Sequence, residues 1–356
     1  MTARLAAPAA ACTPAPVRER RSWLDLGRVI AMFAVIGIHY ASPDFNTIVL
    51  PDSSDWLLGA FWMSFLKGEA STLFFMISGA LLLPKAASAD PKRTLGRVAN
   101  LLCPLIVWSL LILGWNTMRT GAPFNPARLF VEPAFYHLWF LYAMIGVYAF
   151  LPVIKVVYDK IVSDNTFKAY FLAMSLAVFA LNSYGGERSI PVFGLDGFFG
   201  YGMLFLLGGV TGNLIETLWS GENKRRRVRN VSLALFAVLK LVTFALLFEE
   251  NIRVFEATEH WVRNFQLHIV LTSMVFLVFL STVRITSPKS VKSLAWLSNK
   301  IFVIYFLHAL ILPLVRDAVP LPEAAGIPVH TLINFALCLA FAVLVRCTIP
   351  TRRVLG

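Results

Sequence analysis

The chain has 356 residues, 58% of them hydrophobic and only 15% charged, with a mean hydropathy of +0.70. Soluble domains run near 45–50% apolar and about 25% charged, so this much apolar side chain cannot be hidden in one aqueous core and must meet lipid. The net charge of +12 would raise nucleic acid as a partner, but it sits in short connectors between apolar runs and forms no basic stripe with interleaved aromatics. That pattern fits an anionic membrane surface and argues against nucleic acid.

Residues 1–21 begin with an Ala- and Pro-rich stretch and end in Arg18-Glu19-Arg20-Arg21. Because the basic cluster follows the weak Ala-Cys12 motif and precedes the first long apolar run, it reads as a cytoplasmic anchor, not a signal peptide. This tail is expected to be disordered. Apolar runs of bilayer-crossing length then recur at about 23–42, 66–84, 97–116, 136–154, 167–183, 197–215, 231–248, 265–283, 297–315 and 327–347. Lys67-Gly68-Glu69 interrupts the start of the second, and residues 56–66 are open to reading as a separate interfacial helix. The expectation is an all-α polytopic helical bundle of about ten spans over residues 22–348, followed by a cytoplasmic tail at 349–356.

The distribution of cations supports that plan. With an inside N-terminus, the outer segments hold only Lys67, Arg119, Arg128, Arg188, Arg253, Arg263 and Arg316 of the 32 Lys and Arg residues. Nearly all the rest fall inside, as positive-inside bias requires. Asp44, Asp52, Asp55, Glu249, Glu250, Glu256 and Glu259 fall outside. Cys12, Cys103, Cys338 and Cys347 have neither metal-ligand nor redox spacing.

Ionisable groups inside spans cost about 2.5–3.5 kcal/mol each on insertion scales, so each needs a reason. The first span carries Asp25, Arg28 and His39. Eleven residues at 100° each bring Arg28 and His39 to nearly the same face, about 16 Å apart along the axis. Asp25 lies one turn below Arg28 and can pair with it. Either Arg28 snorkels while His39 caps the outer end, or the two mark a polar stripe facing the bundle interior. Lys240 sits mid-span with no obvious carboxylate in another span to neutralise it. Its positions open to it are desolvated neutrality, an anion, or a water-filled cavity. His137 opens the fourth span with Trp139 and Tyr142, as an aromatic belt or as a site. His308 follows Tyr305 inside the ninth. Ser78-Gly79 reads first as close helix packing, and Arg93 and Arg97 as inner anchoring. His260, His268 and His330 suggest no role.

Six segments recur in an order that resembles the membrane-bound acyltransferase-3 family, the bacterial O-acyltransferases of surface glycans. They are Asp25-x-x-Arg28-x10-His39; Phe74-Phe75-Met76-Ile77-Ser78-Gly79; Arg93-x3-Arg97 running into Pro104; His137-Leu138-Trp139-Phe140-Leu141; Phe205-Leu206-Leu207-Gly208-Gly209; and Tyr305-Phe306-Leu307-His308. The resemblance covers roughly residues 20–347 and is to the stand-alone form, similar to the acetyltransferase of enterobacterial common antigen. Ser71-Thr72-Leu73 departs from the Val-Pro-Leu common among relatives, and Glu69 is also unfamiliar there.

The resemblance implies a multi-pass protein of the bacterial cytoplasmic (inner) membrane that moves an acyl group, acetyl by default, from cytoplasmic acyl-CoA to a hydroxyl of an extracytoplasmic glycan or lipid-linked sugar. No permanently bound cofactor and no metal are expected. His39 would act as general base, supported by Arg28 and Asp25. Arg93, Arg97 and Lys240 would hold the CoA phosphates, a task that suits the planar guanidinium. His137, Trp139, Tyr142, Tyr305, His308 and Glu69 would meet the acceptor. A transient acyl-histidine is an alternative course. A secondary transporter would also carry mid-membrane charges, but with inverted repeats, and none is evident.

Overall fold

A computed structural model describes residues 21–47, 54–121, 123–184, 197–218, 221–254, 259–321 and 323–348. The expected terminal tails apart from Arg21, together with Cys12, the outer cation Arg188 and the outer acids Asp52 and Glu256, lie outside them. The regular structure of the described residues is entirely helical. In hydrocarbon, where water cannot satisfy backbone N–H and C=O groups, an α-helix closes its own hydrogen bonds.

Thirteen α-helices follow one another among the described residues. They are α1 (Ser22–Thr47), α2 (Ser54–Leu66), α3 (Ser71–Leu82), α4 (Pro91–Thr120), α5 (Trp139–Ala149), α6 (Leu151–Ser163), α7 (Asn165–Tyr184), α8 (Phe198–Leu218), α9 (Glu222–Val254), α10 (Leu267–Ser281), α11 (Pro288–Ser298), α12 (Ile301–Ala318) and α13 (Glu323–Thr348). Among the described residues nine stretches are long and apolar enough to cross a membrane, or ten if α5 and α6, bent by 68°, make one span. The protein is a multi-pass membrane protein.

Local chemistry sets several boundaries. Asp90 caps α4 by accepting from the Lys92 N–H at 2.9 Å, Pro91 opens the helix, and Gly121 closes it at φ 69°, where a residue without Cβ is at ease. The span expected at 136–154 is instead broken between Ala149 and Leu151, where Pro152, at the start of α6, offers no backbone N–H. The seventh apolar run extends at both ends. Its Arg-rich connector continues as helix, making α9 33 residues long, about 50 Å against a hydrocarbon core of about 30 Å.

Residues 56–66 fall within α2, which buries Trp56, Gly59, Ala60, Met63 and Ser64 in the bundle and, with α3, makes a candidate crossing over Ser54–Leu82. The crossing is interrupted by a single 3-10 turn, Lys67–Glu69. The hydroxyl of Ser273 on α10 donates to the Gly68 carbonyl at this break, which keeps the irregular backbone satisfied.

Helix α8 makes its largest contact with α3. The contact is close because glycines face backbone. A Cβ on Gly79 would come 1.8 Å from the Phe205 carbonyl oxygen, and one on Gly208 would come 2.1 Å from that of Met76. Two of the six family-like segments therefore meet in one small-residue interface.

Candidate active site

Helix α1 separates two cavities. Arg28, Val35, Ile38 and His39 face a cavity of about 360 Å³, while Ile30, Phe33, Ala34 and Gly37 face an apolar one of about 410 Å³ on the opposite side. The helical repeat sorts these residues, so the polar stripe expected on α1 faces the bundle interior.

Arg28 and His39 occupy the two ends of the first cavity. Between them the wall is largely apolar, with Leu101, Leu141, Met144 and Phe302. At the Arg28 end a smaller recess of about 230 Å³ adjoins it, sharing Arg28, Ser78 and Tyr148 and continuing past Asp25 to Arg21 and Lys85. Asp25 is buried and stands 4.0 Å from Arg28 as an i,i+3 pair. Arg97 lines neither space, though it and Arg28 are both near enough to Tyr148 to act on it electrostatically. One terminal nitrogen of Arg97 is buried without a hydrogen-bond partner among the described residues. Arg93 stays outside this group, 67% exposed and 3.4 Å from Asp90.

Around His39 the rings converge. Its imidazole stacks on that of His308 with centroids 5.4 Å apart, and Tyr136 meets it edge-on at 5.0 Å. His137 lies 4.9 Å from His308 and 5.3 Å from Tyr305. The Tyr305 hydroxyl donates to the His137 carbonyl. His308 Nδ1 lies 2.6 Å from the Tyr305 carbonyl, an acceptor only, so Nδ1 carries the proton and Nε2 is left as the acceptor in the neutral ring. Asn334 of α13 donates to the His308 carbonyl at 3.0 Å and to the Tyr40 hydroxyl at 3.1 Å. His308 Nε2 and both ring nitrogens of His137 are buried without a protein hydrogen-bond partner among the described residues. Of these two residues His137 lines the cavity, where a bound hydroxyl could satisfy it, while His308 does not line it.

Trp139 and Tyr305 also line the cavity. Tyr142 does not. Its hydroxyl donates 3.0 Å away to the Leu129 carbonyl, tying α5 to the preceding connector, because its helical position turns it from the face of Phe140, Leu141, Met144 and Tyr148 that lines the cavity.

The expectation for Lys240 and Glu69 requires correction. A carboxylate does reach Lys240: Glu69 Oε2 lies 2.5 Å from Nζ, which also donates to the Ser64 carbonyl at 3.3 Å. Both residues are buried. Lys240 therefore does not join the Arg28 cations, and Glu69 borders the second, apolar cavity instead of the first. Sequence inspection missed the pair because the partner sits in the one-turn break of another span, where no helical periodicity points.

Sequence reasoning also passed over Lys67, Ser71, Ser78, Tyr148 and Asn264, all on the wall of the first cavity. Lys67 counted only as one of the outer-segment cations. The signal available was its place in a break within an apolar run, since irregular backbone at membrane depth occurs where it lines a cavity. His268 and His330, which suggested no role, bond the Trp261 carbonyl at 2.7 Å and the Val319 carbonyl at 2.8 Å. Among the described residues, no three His, Cys, Asp or Glu side chains are grouped so as to hold a metal ion.

No curated protein matches the chain. A family model described as an acyltransferase domain matches residues 21–349. That span takes in the cavity on both sides of α1 and nearly the whole helical bundle, so this multi-pass membrane protein is an acyltransferase and belongs to the acyltransferase-3 family.

Proposed function

We propose that the protein lies in a bacterial cytoplasmic membrane and transfers an acyl group, acetyl in the simplest case, from cytoplasmic acyl-CoA to a hydroxyl of an extracytoplasmic glycan or lipid-linked sugar. The observation that carries this reading is the shared cavity. Arg28 and His39, eleven residues apart on one face of α1, line the same continuous space, which the adjoining recess extends toward Arg21 and Lys85. The distribution of cations supports a cytoplasmic side for that end.

On this reading Arg28 and Arg97 hold the anionic end of the donor, and the apolar wall takes the extended arm that carries the thioester. Guanidinium groups suit phosphate because their planar fork donates two parallel hydrogen bonds. His39, about 16 Å further along α1, meets the thioester without the donor crossing the bilayer. It takes the proton of the attacking hydroxyl and returns it to the departing thiolate. His308 and Tyr136 pack against its ring and restrict its orientation. His137 and Trp139 border the space an acceptor sugar enters, where an aromatic face and unsatisfied imidazole nitrogens fit a ring bearing hydroxyls.

The test is mass analysis of ester-linked groups on surface glycans from cells with the protein, without it, and with His39→Gln at equal protein level. Loss of the same acyl mass in the deletion and the point variant is the expected result. Unchanged ester content in the deletion would sink the acyl-transfer reading, and unchanged content in the point variant alone would remove His39 from it.

A further inference from the structure

When a hydroxyl adds to a thioester, negative charge appears on the carbonyl oxygen, and donors aimed at that atom form the largest single source of catalysis in many acyl transfers. We propose that Lys67 and Asn264 form this oxyanion site and that Ser71 holds Asn264 in its donating orientation, a role that rests on the thioester reading above and completes it.

Three observations converge. Lys67 and Asn264 line the cavity that holds His39, and Lys67 is close enough to His39 to act on it electrostatically. The ammonium is brought to this depth by the Lys67–Glu69 turn between α2 and α3. That break sends Lys67 to the His39 cavity and Glu69 to the opposite one. Glu259, which accepts from the Ser42 hydroxyl at 3.3 Å, is the carboxylate that acts electrostatically on Lys67.

The second partner is oriented by chemistry. Ser71 Oγ donates to Asn264 Oδ1 at 3.1 Å. With its acceptor end taken, the side-chain amide has its two N–H donors to offer the cavity it lines. An ammonium and an oriented amide on the wall of the cavity that holds the general base, in a space largely walled by apolar groups, are the parts an oxyanion site requires.

The step balances without any further reactant. The acceptor oxygen bonds to the acyl carbon while its proton passes to His39, and the carbonyl π pair moves onto the oxygen facing Lys67 and Asn264. That pair then re-forms C=O, the C–S bond breaks, and the thiolate takes the proton back from the imidazolium. An ester and a free thiol result.

The experiment uses the full chain in lipid nanodiscs, acetyl-labelled acetyl-CoA as donor, and a glycan and glycolipid extract of the source cells as acceptor. Initial rates are divided by folded protein from size exclusion. Lys67→Met and Asn264→Asp are each expected to lower kcat about 100-fold, with KM for acetyl-CoA within about threefold. Lys67→Arg should recover part of the loss. Ser71→Ala should lower kcat about tenfold and Ser71→Thr should restore it, since only the hydroxyl matters. An unchanged kcat per folded molecule in Lys67→Met or Asn264→Asp, or a raised KM with kcat intact, overturns the oxyanion role and leaves the thioester reading standing. If the unaltered protein transfers no label, the thioester reading itself fails and takes the oxyanion role with it.

Discussion

Glu69 and Lys240 stand 171 residues apart in the chain, yet Oε2 and Nζ meet at 2.5 Å in the interior of the bundle. The pair ties the break between α2 and α3 to the middle of α9. Removing one partner leaves the other charge stranded where solvation is poor, a cost of about 3–5 kcal/mol. Glu69→Gln or Lys240→Met alone should therefore sharply reduce folded yield and thermal stability in detergent. Glu69→Gln combined with Lys240→Met should recover much of the loss, because no net charge remains buried. A double variant no better than either single one would show that the pair is not the coupling element.

Gly79 and Gly208 define the closest helix approach. Alanine at either position places a Cβ at 1.8 Å or 2.1 Å from a backbone oxygen, and backbone cannot swing aside as a side chain can. Gly79→Ala or Gly208→Ala should force α3 from α8 and cost ~3 kcal/mol or more, seen as loss of monodisperse protein on size exclusion. Gly96→Ala, where nothing lies within 4 Å, is the control and should leave the protein monodisperse and slightly more stable, since alanine is the better helix former.

Arg28→Lys keeps the charge but loses the fork. If Arg28 holds a phosphate, KM for acyl-CoA should rise roughly tenfold with kcat little changed. Arg93→Lys, on the exposed surface, should alter neither. Equal sensitivity at both positions would mean that the anion is held by general surface charge, not by the recess at Arg28.

Tyr305→Phe removes the hydroxyl that donates to the His137 carbonyl. The carbonyl is then left unsatisfied in a buried place, which should destabilise the protein by about 1–3 kcal/mol. It should also loosen the ring cluster around His39, so that transfer rates fall along with the melting temperature. Tyr142→Phe breaks a hydrogen bond to Leu129 outside the cavity and should lower stability by about 1 kcal/mol while sparing the rate.

His39→Gln keeps a hydrogen-bonding group of similar reach but cannot cycle a proton near neutrality. Loss of general base catalysis should reduce transfer by about 10²–10⁴-fold, with donor affinity retained when CoA binding is measured by calorimetry on the purified protein. Donor binding lost together with turnover would point to a collapsed cavity instead of a missing base.

The sequence by itself determined that this is a helical membrane protein, because lipid leaves the backbone no alternative and apolar runs of sufficient length must become helices. It also placed Arg28 and His39 on one face of α1, since helical geometry converts spacing directly into angle. It could not find what comes from different helices. The Glu69–Lys240 pair, the meeting of His39 with His137 and His308, and the arrival of Lys67, Ser71 and Asn264 on the same wall depend on how helices pack. That packing is governed by side-chain shape and by close approaches such as Gly79 on Phe205, which no periodicity encodes. The break at Lys67–Glu69 was visible in the sequence as an interruption. Only the tertiary structure decided that its two charged residues face opposite cavities, because a single 3-10 turn between α2 and α3 sends them to different sides of α1.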